Sequence, residues 1–297
     1  MSNKKISSEI GGNGFRAEDV FQGFLGEPAY GLKTFRDMYF GVELEVNINP
    51  QIWQPLSNEQ RQVQRQTIAN QVHETVKDFC IFTLDGSIPF GWEMKTAPAT
   101  FEYHLQAWKP FFNFVEANPN LFELHGQNCG IHIHLSRAGF KNEHHLGRMH
   151  YFIHRNGAGN RELMERIAQR PYGYKGINNP SDFATKHRYR TAIHIGNNHC
   201  PTAEVRIFRS TIVRAEFYKN LEFLHSLIRF TRPRCKDQHA LMLTSERYLL
   251  YIGEHKQEYP NLWNFLNPED VIDTVSTFEQ PKAKRRSRSR AVAEIMD

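Results

Sequence analysis

Cysteine is scarce: the 297-residue chain has four, at positions 80, 129, 200 and 235, and none forms a C-x-x-C pair. That spacing excludes a zinc knuckle or a dense disulfide framework and leaves reduced, structural thiols as the expectation. No uninterrupted apolar run approaches the roughly 18 residues that span a bilayer, which excludes an integral membrane helix. The opening stretch MSNKKISSEIGGNGF lacks the apolar segment of a secretory signal, so a cytoplasmic chain is expected. A G-x-x-x-x-G-K-[ST] loop is missing, which excludes a P-loop nucleotide site. No Ser–His or Cys–His arrangement for covalent catalysis stands out. Excess charge of one sign is also slight in the body. The net charge is +5, but residues 281–297 hold six basic and two acidic residues, leaving 31 against 30 for the rest. The KRRSRSR run there reads as a solvated tail, and the tail is the only route by which nucleic acid is expected to bind.

What is present suits a folded protein. Hydrophobic residues make up 40% and charged ones 23%, enough for a sizeable core, so the chain is not wholly disordered. Its length fits one large sheet domain with insertions or two small domains. Residues 1–36 read as an irregular leader, 37–280 as one catalytic-type domain and 281–297 as the tail.

Strict alternation marks strands at 39–49 (YFGVELEVNIN), 90–96 and 130–136 (GIHIHLS). A short strand is expected at 80–82 and two more strands at 188–196 and 202–209, with turns at Asp85-Gly86-Ser87 and Asn197-Asn198. Ser57-x-x-Gln60 predicts a capping box opening a helix over 58–78. Further helices are predicted at 101–117, at 143–170 with a break near Asn156-Gly157, at 215–231 and over 239–267. The Gly/Pro/Asn-rich stretch 171–180 reads as a loop or lid. The sum is an α+β arrangement: a largely antiparallel sheet flanked by helices.

Four strands share a peculiarity. Each has an apolar face and an opposite face carrying groups able to hold metal or phosphate. Glu43 and Glu45 come from the first, Glu93 from another, His132 and His134 from a third, and Glu204 and Arg206 from the last. Residues i and i+2 lie on one face roughly 6.8 Å apart. One E-x-E or H-x-H strand is ordinarily a solvated or structural face; four in one chain point to a shared cleft. Two carboxylates ~7 Å apart repel by about 2.4 kcal/mol at an effective dielectric of ~20, so four need cations. Two divalent ions would offset their charge. Oxygen-dominated ligands with one or two imidazoles favour Mg²⁺ or Mn²⁺ over Zn²⁺, and arginines beside such a cleft suit nucleotide phosphates.

The ordered set GVELE (41–45), DGSI…GWEMKTAP (85–98), CGIHIHLS (129–136) and RYRTAIHI…TAEVRIFRST (188–211) carries a resemblance. NCGIHIHLS is similar to the histidine strand of glutamine synthetases, EVR to their late E-x-R strand and GVELE to their early E-x-E strand. Over about residues 38–230 the chain resembles the amidoligase branch of the carboxylate–amine ligase superfamily, which includes glutamine synthetase and glutamate–cysteine ligase and has many phage and bacterial members. The resemblance implies a glutamine synthetase-like catalytic domain and an ATP-dependent ligase that forms an amide through an acyl phosphate. It implies a two-metal site: Glu45 and Glu93 on the ion nearer the carboxylate substrate, Glu43, His132 and Glu204 on the ion among the ATP phosphates. Arg206 would lie by the γ-phosphate, Arg190 (with Arg188 competing) would neutralise the transferred phosphoryl group, and His134 and Ser136 would lie by the nucleotide. Asp85 would either support a ligand or hold its turn. The chain is far shorter than true glutamine synthetases and lacks their ammonia and glutamate loops, so glutamine formation itself is not implied. Expected partners are small-molecule or peptide acid and amine substrates, with a glutamine amidotransferase or second ligase allowed by the resemblance. Host cytoplasm is the expected location if the chain is phage-encoded. Two rivals stand beside this reading: a metal-dependent hydrolase, and a non-catalytic phage or nucleic-acid-associated protein that keeps the fold.

Overall fold

Six strands line up wherever the sequence alternates. In the computed structural model, which describes residues 38–88, 90–126, 129–155, 157–171, 192–195, 202–233 and 242–268, they are β1 (Phe40–Asn47), β2 (Cys80–Thr83), β3 (Gly91–Thr96), β4 (Gly130–Ser136), β5 (Ile193–Ile195) and β6 (Thr202–Arg209). They form one sheet in the order β2-β3-β1-β4-β6-β5, and each neighbouring pair is antiparallel. With its helices this is the α+β class that the sequence predicts. The leader, the tail, the Asn197-Asn198 turn, residues 172–180 of the loop and residues 188–191 of the fifth strand lie outside the described residues.

The helices are α1 (Pro50–Trp53), α2 (Asn58–Val76), α3 (Phe101–Ala107), α4 (Lys109–Ala117), α5 (Glu143–His154), α6 (Ala158–Ala168), α7 (Arg214–Thr231), α8 (Ser245–Glu254) and α9 (Pro260–Leu266). The capping box forms as expected: Gln60 N–H donates to Ser57 Oγ (3.3 Å) and Ser57 N–H donates to Gln60 Oε1 (2.9 Å). One expectation needs correction. The 101–117 helix is two helices, because Pro110 in the first turn of α4 has no N–H to give and its ring crowds the turn before it. The described part of the 239–267 stretch is mainly helical as expected and holds α8 and α9, with Pro260 opening the second at the position that tolerates proline best. The break near Gly157 separates α5 from α6 as the sequence predicts.

The apolar face of the sheet supplies Val42, Leu44, Val46, Trp92, Met94, Ile131, Ile133, Leu135 and Val205 to one core, which residues of α2 to α9 complete. Trp108, Phe111, Phe112 and Phe217 form its aromatic centre, with Trp108 and Phe217 ring centroids 4.8 Å apart. No helix among the described residues is long and apolar enough to cross a membrane. Every second residue of the central strands is thus committed to the helical layer, and the residues between them gather on the opposite face.

Candidate metal centre

Strand register builds that opposite face. Glu45 pairs with Glu93 and Glu43 with Lys95 across β1 and β3; Glu43 pairs with His132 across β1 and β4; His134 pairs with Glu204 across β4 and β6. Between β4 and β6 the register shifts by one, so that Arg206 and Ile207 together oppose His132. This β-bulge lets Ile207 and Phe208 both enter the core while Glu204 keeps the polar side. The seven expected groups Glu43, Glu45, Glu93, His132, His134, Glu204 and Arg206 are therefore neighbours on four adjacent strands.

Their geometry is close. One ligand atom from each of Glu43, His132 and Glu204 lies within 4.8 Å of the others, and the same holds for Glu45, Glu93 and His132. His132 is common to both triads. Its Nδ1 lies 3.1 Å from Glu43 Oε2 and 3.6 Å from Glu204 Oε1. Its Nε2 lies over Gly130, where a Cβ would come within 3.2 Å, so a glycine makes room for the ring. His134 Nδ1 is held by Thr202 Oγ1 (3.1 Å), which leaves Nε2 3.6 Å from Glu43 Oε1. Glu45 Oε2 accepts from the Gly130 N–H at 2.6 Å. Glu93 Oε2 accepts from Lys95 Nζ at 2.9 Å and from Thr83 Oγ1 at 3.2 Å. Arg206 is ion-paired with Glu204.

Burial makes these contacts consequential. Glu43, Glu45, Glu93, Lys95, His132 and Glu204 are only 5–7% exposed, and a buried charge persists only when paired or bound to a cation. Burial would raise the Glu43 carboxyl, but hydrogen bonds from His132 and His134 outweigh it and hold that group well below its ordinary range. Burial, then the charge of Glu43, pushes Glu93 up to about 7 against the pull of Lys95. Burial also raises Glu45. Burial alone would lower Lys95, yet Glu43 and Glu93 prevail and keep its ammonium protonated beyond the ordinary range.

The remaining sequence candidates sort themselves. Asp85 holds its turn: its Oδ1 accepts from Ser87 N–H and Ser87 Oγ, both at 2.7 Å, and it belongs to neither triad. Ser136 sits at the end of β4, its hydroxyl accepting from Tyr39 N–H (3.1 Å) and donating to Met38 Sδ (3.7 Å). Arg188 and Arg190 lie outside the described residues. Cys129 is buried, and burial pushes its thiol up to about 12, which makes it inert.

Some residues of this face carry no metal signature in sequence. Lys95 stands on the expected face, but only the register shows that it meets Glu43 and Glu93. Arg209 pairs with Gly130 and so shares the site face, which simple alternation along β6 would not give. Asn47, two residues beyond Glu45, donates from Nδ2 to Glu123 Oε2 (3.0 Å), and its buried Oδ1 has no hydrogen-bond partner among the described residues.

No protein-family model matches the chain, and no curated protein matches it. The centre therefore stands on its own chemistry: buried, oxygen-rich, with one shared imidazole, and able to hold a metal ion. Two carboxylates and one imidazole in each triad are compatible with Mg²⁺ or Mn²⁺.

Proposed function

We propose that this chain is an ATP-dependent carboxylate–amine ligase working at a divalent-ion centre, with a glutamine synthetase-like arrangement of its sheet. The observation that carries the reading is the convergence of four buried carboxylates, an imidazole and Arg206 from four adjacent strands onto one face. A bound Mg²⁺ or Mn²⁺ would polarise a phosphoryl oxygen and offset its charge. Glu43, His132 and Glu204 would hold it, with Glu45 and Glu93 as the neighbouring carboxylates.

The protein's own share is positioning and electrostatics. Arg206, partly exposed and ion-paired with Glu204, would meet the γ-phosphate and then the acyl phosphate of the substrate acid. His134, fixed by Thr202, turns its second nitrogen toward Glu43, where it would border the nucleotide. Gly130 N–H and Thr83 hold the Glu45 and Glu93 carboxylates at set angles, so their oxygens need not reorganise when charge moves. The buried floor excludes water, which favours amine over water as the group that displaces phosphate. Arg190 and Arg188 complete the proposal as candidates for neutralising the transferred phosphoryl group.

Calorimetric titration of ATP with Mg²⁺ tests the reading. The expected result is metal-dependent binding that Glu43→Ala and Glu204→Ala each abolish, followed by ADP release when acid and amine pairs are supplied. A folded wild type that binds no nucleotide with Mg²⁺ or Mn²⁺ would overturn it, and phosphate release from simple esters would favour the hydrolase instead.

A further inference from the structure

Four buried carboxylates suggest two divalent ions until the fixed cations among them are counted. Among the described residues, Glu43, Glu45, Glu93 and Glu204 face Lys95 and Arg206, and Asp85 and Arg209 at the margins cancel each other, leaving a formal charge of −2 with neutral histidines. One divalent ion neutralises that remainder; two would leave the floor positive.

The donor atoms impose the same limit. A neutral imidazole has one lone-pair nitrogen, and His132 belongs to both triads. With the lone pair on Nδ1, the ring serves Glu43 and Glu204, at 3.1 and 3.6 Å, and its Nε2–H is left over Gly130, on the side of Glu45. With the lone pair on Nε2 the assignment reverses. Full ligation by His132 is therefore open to one triad at a time.

The two halves are not equivalent. Around Glu45 and Glu93 the carboxylate oxygens already accept from Gly130 N–H (2.6 Å), Lys95 Nζ (2.9 Å) and Thr83 Oγ1 (3.2 Å). Around Glu43 and Glu204, His134 Nε2 stands 3.6 and 4.0 Å away as a further donor. The cation on that side, Arg206, is ion-paired with Glu204 and less buried than Lys95.

We propose that Lys95 is the resident cation of this centre: its ammonium pairs with Glu93 and halves the charge of the Glu45–Glu93 half, so that a single divalent ion loads, on Glu43, Nδ1 of His132 and Glu204. The inference rests on the metal-centre reading, and it departs from the two ions that the sequence resemblance implies. Lys95 acts as a positioning residue that sets ion number and fixes Glu93.

Mn²⁺ binding to the full chain without nucleotide, followed by loss of the free-ion signal in electron paramagnetic resonance, decides it. Wild type is expected to bind one Mn²⁺ per chain. Lys95→Arg keeps one, Lys95→Met admits a second and weaker ion, and circular dichroism verifies that each variant is folded. Glu204→Gln weakens the single ion at least about tenfold, whereas Glu45→Gln leaves one ion bound. Two ions on wild type, or one ion on Lys95→Met, would overturn the role of Lys95. Loss of the ion in Glu45→Gln with retention in Glu204→Gln would overturn its placement. A wild type that binds none would overturn the metal centre itself, an outcome distinct from the others and requiring no variant.

Discussion

His104 illustrates how much chemistry a single buried side chain can fix. Its Nε2–H donates to the Phe40 carbonyl (2.9 Å) and its Nδ1 accepts from the Trp108 indole (3.2 Å), so only the neutral ring fits. Burial brings it down to about 4. The unfolded chain then binds a proton that the folded chain refuses between pH ~6.5 and ~4, and stability falls as pH drops through that window. His104→Gln should flatten this decline by up to roughly 3 kcal/mol, read from urea unfolding of both chains at either end of the window. An equal slope in both would contradict the assignment. At this scale the ligands were legible, since E-x-E and H-x-H on alternating strands announce both their face and their chemistry. Lys95 was visible on that face yet meant nothing until Glu43 and Glu93 were found beside it, because a lysine alternating with tryptophan and methionine is also what solvent-facing strands contain.

Elements depend on a few contacts between residues distant in sequence. Glu222 on α7 caps α9: its Oε2 accepts from Leu262 N–H (2.7 Å) and its Oε1 from Asn261 Nδ2 (2.5 Å). Burial pushes this carboxyl up to about 7, more than those hydrogen bonds lower it. The folded state therefore retains a proton that the unfolded state gives up between pH ~4.5 and ~7, and stability falls as pH rises through that range. Glu222→Gln should remove that slope, opposite in sign to that of His104, and comparison of melting temperatures across the range reads it directly. Gly91 is a second such point. A Cβ there would lie 1.9 Å from the Val46 carbonyl oxygen, so β3 can approach β1 only as glycine. Gly91→Ala should cost about 3 kcal/mol and weaken metal binding too, because the same pairing sets Glu93 against Glu45. Unchanged ion affinity in a destabilised Gly91→Ala would show that the register tolerates the shift. Strands were readable from alternation and α2 from its capping box. The split at Pro110 required giving proline more weight than the apolar period.

For the whole molecule, the centre and the fold share one sheet, so ion binding and stability are linked. An ion present at ~100 times its dissociation constant should stabilise the chain by about 2.7 kcal/mol, raising the melting temperature of wild type, while a tenfold weaker site in Glu204→Gln should gain only about 1.4 kcal/mol at the same concentration. A wild type indifferent to Mg²⁺ and Mn²⁺ would sever that link. The sheet class was legible because β1, β3 and β4 alternate strictly. Strand order was not, since nothing local in GVELE or CGIHIHLS records which strand lies beside which; that is decided by packing of the opposite, apolar face.

The bulge in β6 has a bearing on how this chain can change over evolutionary time. Elsewhere on the sheet, position is counted by parity: one residue gained or lost between Glu43 and Glu45 would send one carboxylate into the oily layer and bring an aliphatic out. In β6 one residue stands outside the count, for Ile207 can be removed and Glu204, Arg206 and Arg209 still fall on a single side. That makes Arg206–Ile207 the place where descendants of this sequence can lose one codon and keep their chemistry, while the same deletion in β1 would erase it.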